Sequence, residues 1–301
     1  YYEAWNISTG CRWMFGSGVI PSVVFILLLL TVPESPRWLA KQNRNEEALN
    51  ILSKINGAAK AKEELQNIDS SLAEETAVSL GELFKPGLKR AMVVGIMLSI
   101  FSQVTGINAI MYYAPEIFKS TGDGSGSALL QTIAVGVVNV LFTFVAIKYV
   151  DKLGRKKLLL RGIAGMMLCL LIVGSAFYFG AEKGYLVLIA IMAYIAFFAM
   201  SLGPLTFVVV AEIFPTKARG TAMSVAIFAL WSAVFLVSQS FPVLLDAIGN
   251  AFTFWIYMCM AIFAFVFVWK MVPETKEKTL EEIEHYWHQH EQNRQAKLKS
   301  A

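Results

Sequence analysis

The chain has 301 residues, 56% of them hydrophobic and 16% charged, with a formal net charge of +4. A soluble domain carries roughly 25% charged and 45–50% apolar residues, so this composition excludes an ordinary water-soluble globular domain. The surplus of positive charge sits mostly in short loops between apolar runs, where membrane topology accounts for it and nucleic-acid binding is not needed.

Apolar runs of about 20 residues, the length that crosses about 30 Å of hydrocarbon, predict seven spans in chain order. The first covers residues 12–32. A polar Glu/Lys/Asn-rich stretch follows, and then six more spans at 91–118, 126–149, 158–179, 185–210, 221–244 and 251–271. The domains read as a short loop and first span (1–32), a helical linker (33–90), a six-helix bundle (91–271) and a tail helix (272–301). Residues 12–32 resemble a signal peptide in length, but nothing cleavable follows them. In the linker, Ser35-Pro36 suits a helix start and Leu39, Ala48, Leu49, Leu52 and Ile55 form one apolar stripe that Asn56-Gly57 ends. A second linker helix is predicted through Glu63, Leu65, Ile68 and Leu72.

Basic residues concentrate in the loop at 148–161 (Lys148, Lys152, Arg155, Lys156, Lys157, Arg161) and at 211–220 (Lys217, Arg219). The opposite loops hold only Lys119, Lys183 and the acidic Asp246. By the positive-inside rule the linker and tail are cytoplasmic and residues 1–10 are outside. The outer segment carries the sequon Asn6-Ile7-Ser8, either a glycan acceptor or a chance tripeptide. Three cysteines (Cys11, Cys169, Cys259) read as small hydrophobes rather than a disulfide set.

One phrase occurs twice. Val32-Pro33-Glu34-Ser35 closes the first span and Val272-Pro273-Glu274-Thr275 closes the last. Six spans ending in the same phrase are the pattern of a six-plus-six parallel repeat, the architecture of secondary transporters. On this reading the chain is a piece: the last helix of one half, the linker and the complete second half, with the remainder of the first half as its partner.

Polar residues inside a span are costly and therefore candidates for function. The span at 91–118 is richest, with Gln103, Thr105, Gly106, Asn108, Tyr112, Tyr113 and Pro115. Gly106 and Pro115 are expected to interrupt the helix, exposing backbone where a site forms. Gln103 and Asn108 lie about 140° apart on a continuous helical wheel, flanking one face, with Tyr112 continuing the Asn108 side. Amides that donate and accept, beside aromatic rings that cover C–H faces, suit a neutral polyhydroxylated ligand. The alternative is that these amides join helices to one another. The same two readings hold for Asn139, and Gly203-Pro204 is expected to break another span near Phe197, Phe198 and Phe207. Trp231 lies deep in its span, either packed in the core or lining a cavity. His285, His288 and His290 in the tail offer metal-like spacing, but with no Cys nearby the tail reads as solvated and no metal or other cofactor is expected. No P-loop, zincin or nucleophile–base set appears, so nothing supports an enzyme.

The motif Phe101-Ser102-Gln103-Val104-Thr105-Gly106-Ile107-Asn108 with Tyr112-Tyr113-Ala114-Pro115 resembles the seventh-helix signature of the sugar porter family of the major facilitator superfamily. Val32 through Leu39 resembles that family's end of helix six, Asp151 through Lys157 its helix 8–9 loop, Ala211 through Gly220 its helix 10–11 loop, and Val272 through Glu282 its C-terminal motif. The resemblance covers the whole chain and is strongest to bacterial xylose–proton symporter-like members. It implies an all-α membrane protein of the major facilitator fold, with a sugar site between two halves. Gln103, Asn108 and Asn139 would bond sugar hydroxyls, with Ser102, Phe207 and Trp231 in the site and Tyr112, Tyr113, Gly203 and Pro204 at the gate. Arg155, Glu212 and Arg219, with Glu34, Arg37 and Glu274, would form a cytoplasmic charge latch; positive-inside topology alone is the competing account of the loop charges. Three positions depart from the family pattern: Ser102, Phe207 and Leu230 stand where it often has Gln, Trp, and Gln or Asn. The implied activity is monosaccharide transport by alternating access in the cell (inner) membrane, coupled to protons, whose carrying carboxylate is not evident in these spans. A transporter-like sugar sensor and a facilitative carrier of another polyol are the alternatives.

Overall fold

The computed structural model describes residues 9–73, 80–85, 88–120, 125–181, 185–215, 218–278, 282–283 and 287. The sequon, Lys183, Lys217 and the three tail histidines lie outside the described residues. Every regular element described is helical. Residues 1–76 and 77–301 form two compact units.

In the first unit, α1 (Cys11–Ser17) and α2 (Val19–Leu29) meet at Gly18, where a tight turn bonds the Gly18 amide to the Phe15 carbonyl at 3.2 Å. The cause is Pro21, which has no amide to give the Ser17 carbonyl and whose ring crowds it. The uninterrupted span expected at 12–32 is therefore a shorter apolar helical stretch, Phe15–Leu29. Next come α3 (Pro36–Lys41), α4 (Asn45–Asn56) and α5 (Ala58–Ala73), which pack on one another. Pro36 opens α3, and Ser35 before it is extended, as a residue preceding proline must be. Gly57, at φ +82°, ends α4 as the sequence predicts. Leu39, Ala48, Leu52 and Ala61 are buried, whereas Ile55 of the predicted stripe is exposed.

The second unit is the bundle. Its elements are α6 (Lys89–Val104), α7 (Ile107–Ser120), α8 (Ser125–Leu153), α9 (Arg155–Tyr178), α10 (Tyr185–Ala199), α11 (Leu202–Ile213) and α12 (Arg219–Met271). The pairs α6–α7 and α10–α11 are each one broken span. α12 contains two arms joined at Gly249 (φ +77°), and Phe241 stacks on Tyr257 across that point with centroids 6.2 Å apart. Residues eight positions on either side of Gly249 can meet only if the chain reverses there. The two last spans expected from sequence are thus one hairpin whose loop has shrunk to a single glycine.

Five helical segments among the described residues are long and apolar enough to cross a membrane, the α12 hairpin counting as one. α9 is the hub, packed against both α12 and α10, while α6 lies along α12. Gly165 of α9 meets the Phe197 ring so closely that a Cβ there would come within 2.5 Å of it. In lipid, where apolar tails compete with apolar side chains, such small residues are what let helices approach. By contrast α8 shows the outside an apolar stripe of Ile133, Val137, Val140, Leu141, Phe144 and Ile147.

The tail departs from the solvated expectation. Ile283 and Trp287 are buried in the bundle core, and the Trp287 indole N–H donates to the Ile213 carbonyl at 3.2 Å. Cys169 is buried and Cys259 exposed, both as free thiols.

Gly106 adopts φ +94° with the Tyr257 ring 2.8 Å from where a Cβ would stand, whereas Gly136 on α8 has nothing within 4 Å of its own. Gly106→Ala is expected to destabilise the detergent-solubilised protein by about 1–3 kcal/mol. Gly136→Ala is expected to be neutral or stabilising by about 0.5–1 kcal/mol. Equal apparent melting temperatures for the two variants would contradict this packing.

Candidate functional site

The richest polar position is the break between α6 and α7. α6 stops at Val104, and Thr105 caps it before Gly106 swings to positive φ. Three of the released carbonyls are met locally and from afar. The Gly106 amide donates to the Gln103 carbonyl at 3.0 Å, the Thr105 hydroxyl to the Ser102 carbonyl at 3.3 Å, and the Tyr194 hydroxyl of α10 to the Thr105 carbonyl at 2.9 Å. Pro115 breaks nothing; α7 runs through it.

The break also changes the side-chain geometry. On an unbroken wheel Gln103 and Asn108 would point about 140° apart. Instead the Asn108 amide donates to the Gln103 amide oxygen at 2.6 Å, and the Gln103 amide donates to the Ser102 hydroxyl at 3.0 Å. The Ser102 hydroxyl in turn donates to the Ser99 carbonyl at 2.7 Å. The result is a four-residue relay whose inner end is buried and whose outer end, Asn108, is half-buried. Asn108 keeps its amide oxygen and one amide hydrogen outside these bonds, so the relay can still accept from and donate to a ligand.

The other predicted residues stand as follows. Tyr112 and Trp231 are well exposed and Phe207 is about half exposed, while Leu230 is buried. Tyr113 packs on Phe241 with centroids 5.0 Å apart. Asn139 is half-buried, and its carbonyl accepts from the Thr143 hydroxyl at 2.8 Å. None of Asn139, Phe207 and Trp231 is hydrogen-bonded to the Gln103–Asn108 pair among the described residues. In the α10–α11 span the interruption falls at Ser201 (φ −134°, ψ −98°), ahead of Gly203, and Pro204 sits in the first turn of α11 where its missing amide costs nothing.

A second polar cluster lies where α8 ends and α9 begins. Gly154 turns at φ +85°, and its open side is filled by the Glu274 carboxylate. That carboxylate accepts from the Arg155 amide at 2.8 Å and the Lys156 amide at 3.2 Å, and from its own neighbours Thr275 at 3.1 Å and Lys276 at 3.2 Å. An anion on the unpaired amides of a helix start is favourable both as hydrogen bonding and against the helix dipole. The Arg155 guanidinium pairs with Glu212 at 3.0 Å and with Asp151 at 3.0 Å. Thr275 ties the cluster together by donating to Glu212 at 2.6 Å. Arg219 is not in it: two of its guanidinium nitrogens are buried without a partner among the described residues. Glu34 and Arg37 belong to the other compact unit.

Sequence reasoning placed Glu274 among latch charges but missed that it caps α9, and it missed Tyr194, Thr275 and Tyr257 altogether. The available signal was Gly154, a glycine directly before the run Arg155-Lys156-Lys157, which marks a helix start needing an anion. Glu274→Ala strips four amides of their acceptor, at a cost of about 1–3 kcal/mol. Its apparent melting temperature in detergent is expected to fall well below that of Glu277→Ala, an exposed neighbour; matching values would contradict the capping role.

The model of the family described as "Sugar (and other) transporter" matches residues 1–287. The chain is similar to an arabinose–proton symporter of Bacillus subtilis (strain 168), 48% identical over 286 residues, covering 95% of this chain and 61% of that protein. It is also similar to a D-xylose–proton symporter of Escherichia coli (strain K12), 46% identical over 290 residues, covering 94% and 58%. Among solved structures, a proton:xylose symporter of the major facilitator superfamily bound to 6-bromo-6-deoxy-D-glucose matches with a TM-score of 0.77 at 44% identity, over 94% of this chain and 60% of that one. The inward open conformation of the xylose transporter from E. coli matches with a TM-score of 0.74 at 44% identity, over 94% and 58%. The chain spans about three fifths of the length of these relatives. With a family model matched from residue 1 to 287, relatives close to half identical and a fold that superposes on solved major facilitator structures, the chain belongs to the sugar (and other) transporter family and has the all-α major facilitator membrane fold.

Proposed function

We propose that this chain provides one half of a monosaccharide carrier that works by alternating access and moves protons with the sugar. The observation that carries the reading is the relay Asn108–Gln103–Ser102–Ser99, a chain of neutral donors and acceptors at a helix break inside a membrane span. A charged substrate would call for a countercharge at that depth, whereas amides and hydroxyls match sugar hydroxyls without one. The names of the two relatives, symporters of arabinose and of xylose with protons, agree with it.

In this reading Gln103 and Asn108 bond the sugar, Ser102 orients Gln103, and Asn139 adds a further amide. Phe207 and Trp231, both substantially exposed, give apolar walls facing the other half. Tyr112 and Tyr113 on α7 close the outer gate, with Gly203 and Pro204 in the first turn of α11 as further gate residues. The Arg155–Glu212 pair, joined through Thr275 to the Glu274 cap, is the core of a latch on the cytoplasmic side. The protein sits in the cell (inner) membrane with residues 1–10 outside and the linker and tail within. Its work is transport without covalent chemistry.

The test is uptake by the full-length protein in proteoliposomes, offered xylose, arabinose, glucose and galactose with and without an inward proton gradient. Accumulation of one pentose above its outside concentration, abolished by a protonophore, is the expected result. Saturable binding of a sugar with no uptake under either condition would overturn the carrier reading in favour of a sensor.

A further inference from the structure

Two buried tyrosines flank the α6–α7 break, and they differ in one respect. Tyr194 of α10 is 1% exposed, and its hydroxyl donates to the Thr105 carbonyl, 89 positions away in sequence, at 2.9 Å. Tyr257, on the second arm of α12, lies with its ring against Gly106, yet its buried hydroxyl has no hydrogen-bond partner among the described residues. Of the carbonyls that the end of α6 leaves open, Ser102 and Gln103 are met from within the same turn, by the Thr105 hydroxyl and the Gly106 amide. No backbone amide reaches the Thr105 carbonyl among the described residues. Its partner is a side chain from a different helix.

We propose that Tyr194 is a positioning residue for sugar recognition: its hydroxyl pins the Thr105 carbonyl and so fixes the turn that brings Gln103 and Asn108 within hydrogen-bond distance. The proposal rests on the reading of that amide pair as the sugar-binding group. Thr105 is the residue through which the chain leaves α6 on its way to Gly106, so a rotation of the Thr105 peptide changes the direction of α7 and carries Asn108 away from Gln103. In hydrocarbon the unpinned carbonyl has no water to turn to, and the peptide rotates towards any donor within reach. The Tyr257 ring packs the other side of the turn, a role that its hydroxyl does not share.

The experiment is a double-mutant cycle on sugar uptake by the full-length protein in proteoliposomes, with melting temperature recorded on the same preparations. Tyr194→Phe is expected to raise KM about three- to tenfold, the loss of one buried hydrogen bond, with kcat within about twofold. Because Tyr194 acts through the amide pair, Tyr194→Phe added to Gln103→Ala is expected to raise KM no further than Gln103→Ala alone. Tyr257→Phe is expected to leave KM unchanged. An unaltered KM in Tyr194→Phe, or additive effects in the double variant, would overturn the positioning role while leaving the sugar site intact. An unaltered KM in Gln103→Ala would remove the sugar-site reading and this proposal with it. If Tyr194→Phe does not fold, 3-fluorotyrosine at position 194 serves instead: a stronger donor of nearly the same shape, expected to hold KM at or below its natural value, with a raised KM counting against the role.

Discussion

The bilayer interior offers backbone groups no water, and each unpaired amide or carbonyl there costs several kcal/mol. A continuous helix avoids that cost by construction; a broken one must find a partner for every group it releases. The α6–α7 span meets its Gln103, Ser102 and Thr105 carbonyls in three ways, with a glycine amide, a threonine hydroxyl and a tyrosine from a distant helix. Because those partners fit a single geometry, the break is a fixed corner and not a loose hinge point. The polar side chains on either side of it inherit that fixity, which is what a recognition site for a small neutral molecule requires.

The same constraint governs the other end of the bundle, with charge added. α9 starts on a glycine, its first amides have no helical partner, and Glu274 from the end of α12 supplies one. The carboxylate arrives there because the chain stops being helical at Val272 and turns over Gly154, while Thr275 reaches on to Glu212 and hence to Arg155. A helix start, an ion pair and the exit of the last span are thereby one assembly. Movement of α9 against α11 must break several of these bonds together, which gives the cluster the cooperative character that a two-position device needs.

Much of this could be read from the sequence, and the boundary of what could is physical. Hydropathy finds the spans because hydrocarbon thickness sets a length, and its bounds 91–118, 158–179 and 185–210 fall within three residues of Lys89–Pro115, Arg155–Tyr178 and Tyr185–Ile213. It overestimated the first because Pro21 acts on the carbonyl four residues before it, inside a run that remains uniformly apolar. It expected a loop before residue 251 because it could not foresee a reversal on Gly249 alone. Gly106 was identified as a break, but the wheel angle between Gln103 and Asn108 assumed a continuous helix and so missed their direct bond. Tyr194 and Tyr257 carried no local signal: an aromatic in an apolar run reads as packing until the partner helix is known. The buried Trp287 was missed for the same reason, since a lone indole in a polar tail reveals its site only when the Ile213 carbonyl is beside it.

The central claim is that the corner at Gly106 exists to present Gln103 and Asn108 to a sugar. A structure of the full-length protein with a bound pentose tests it most directly. The account predicts sugar hydroxyls at about 2.7–3.2 Å from the side-chain amides of both residues, with the Tyr194–Thr105 bond retained. A pentose bound elsewhere, with the two amides still bonded only to each other and to Ser102, would contradict it.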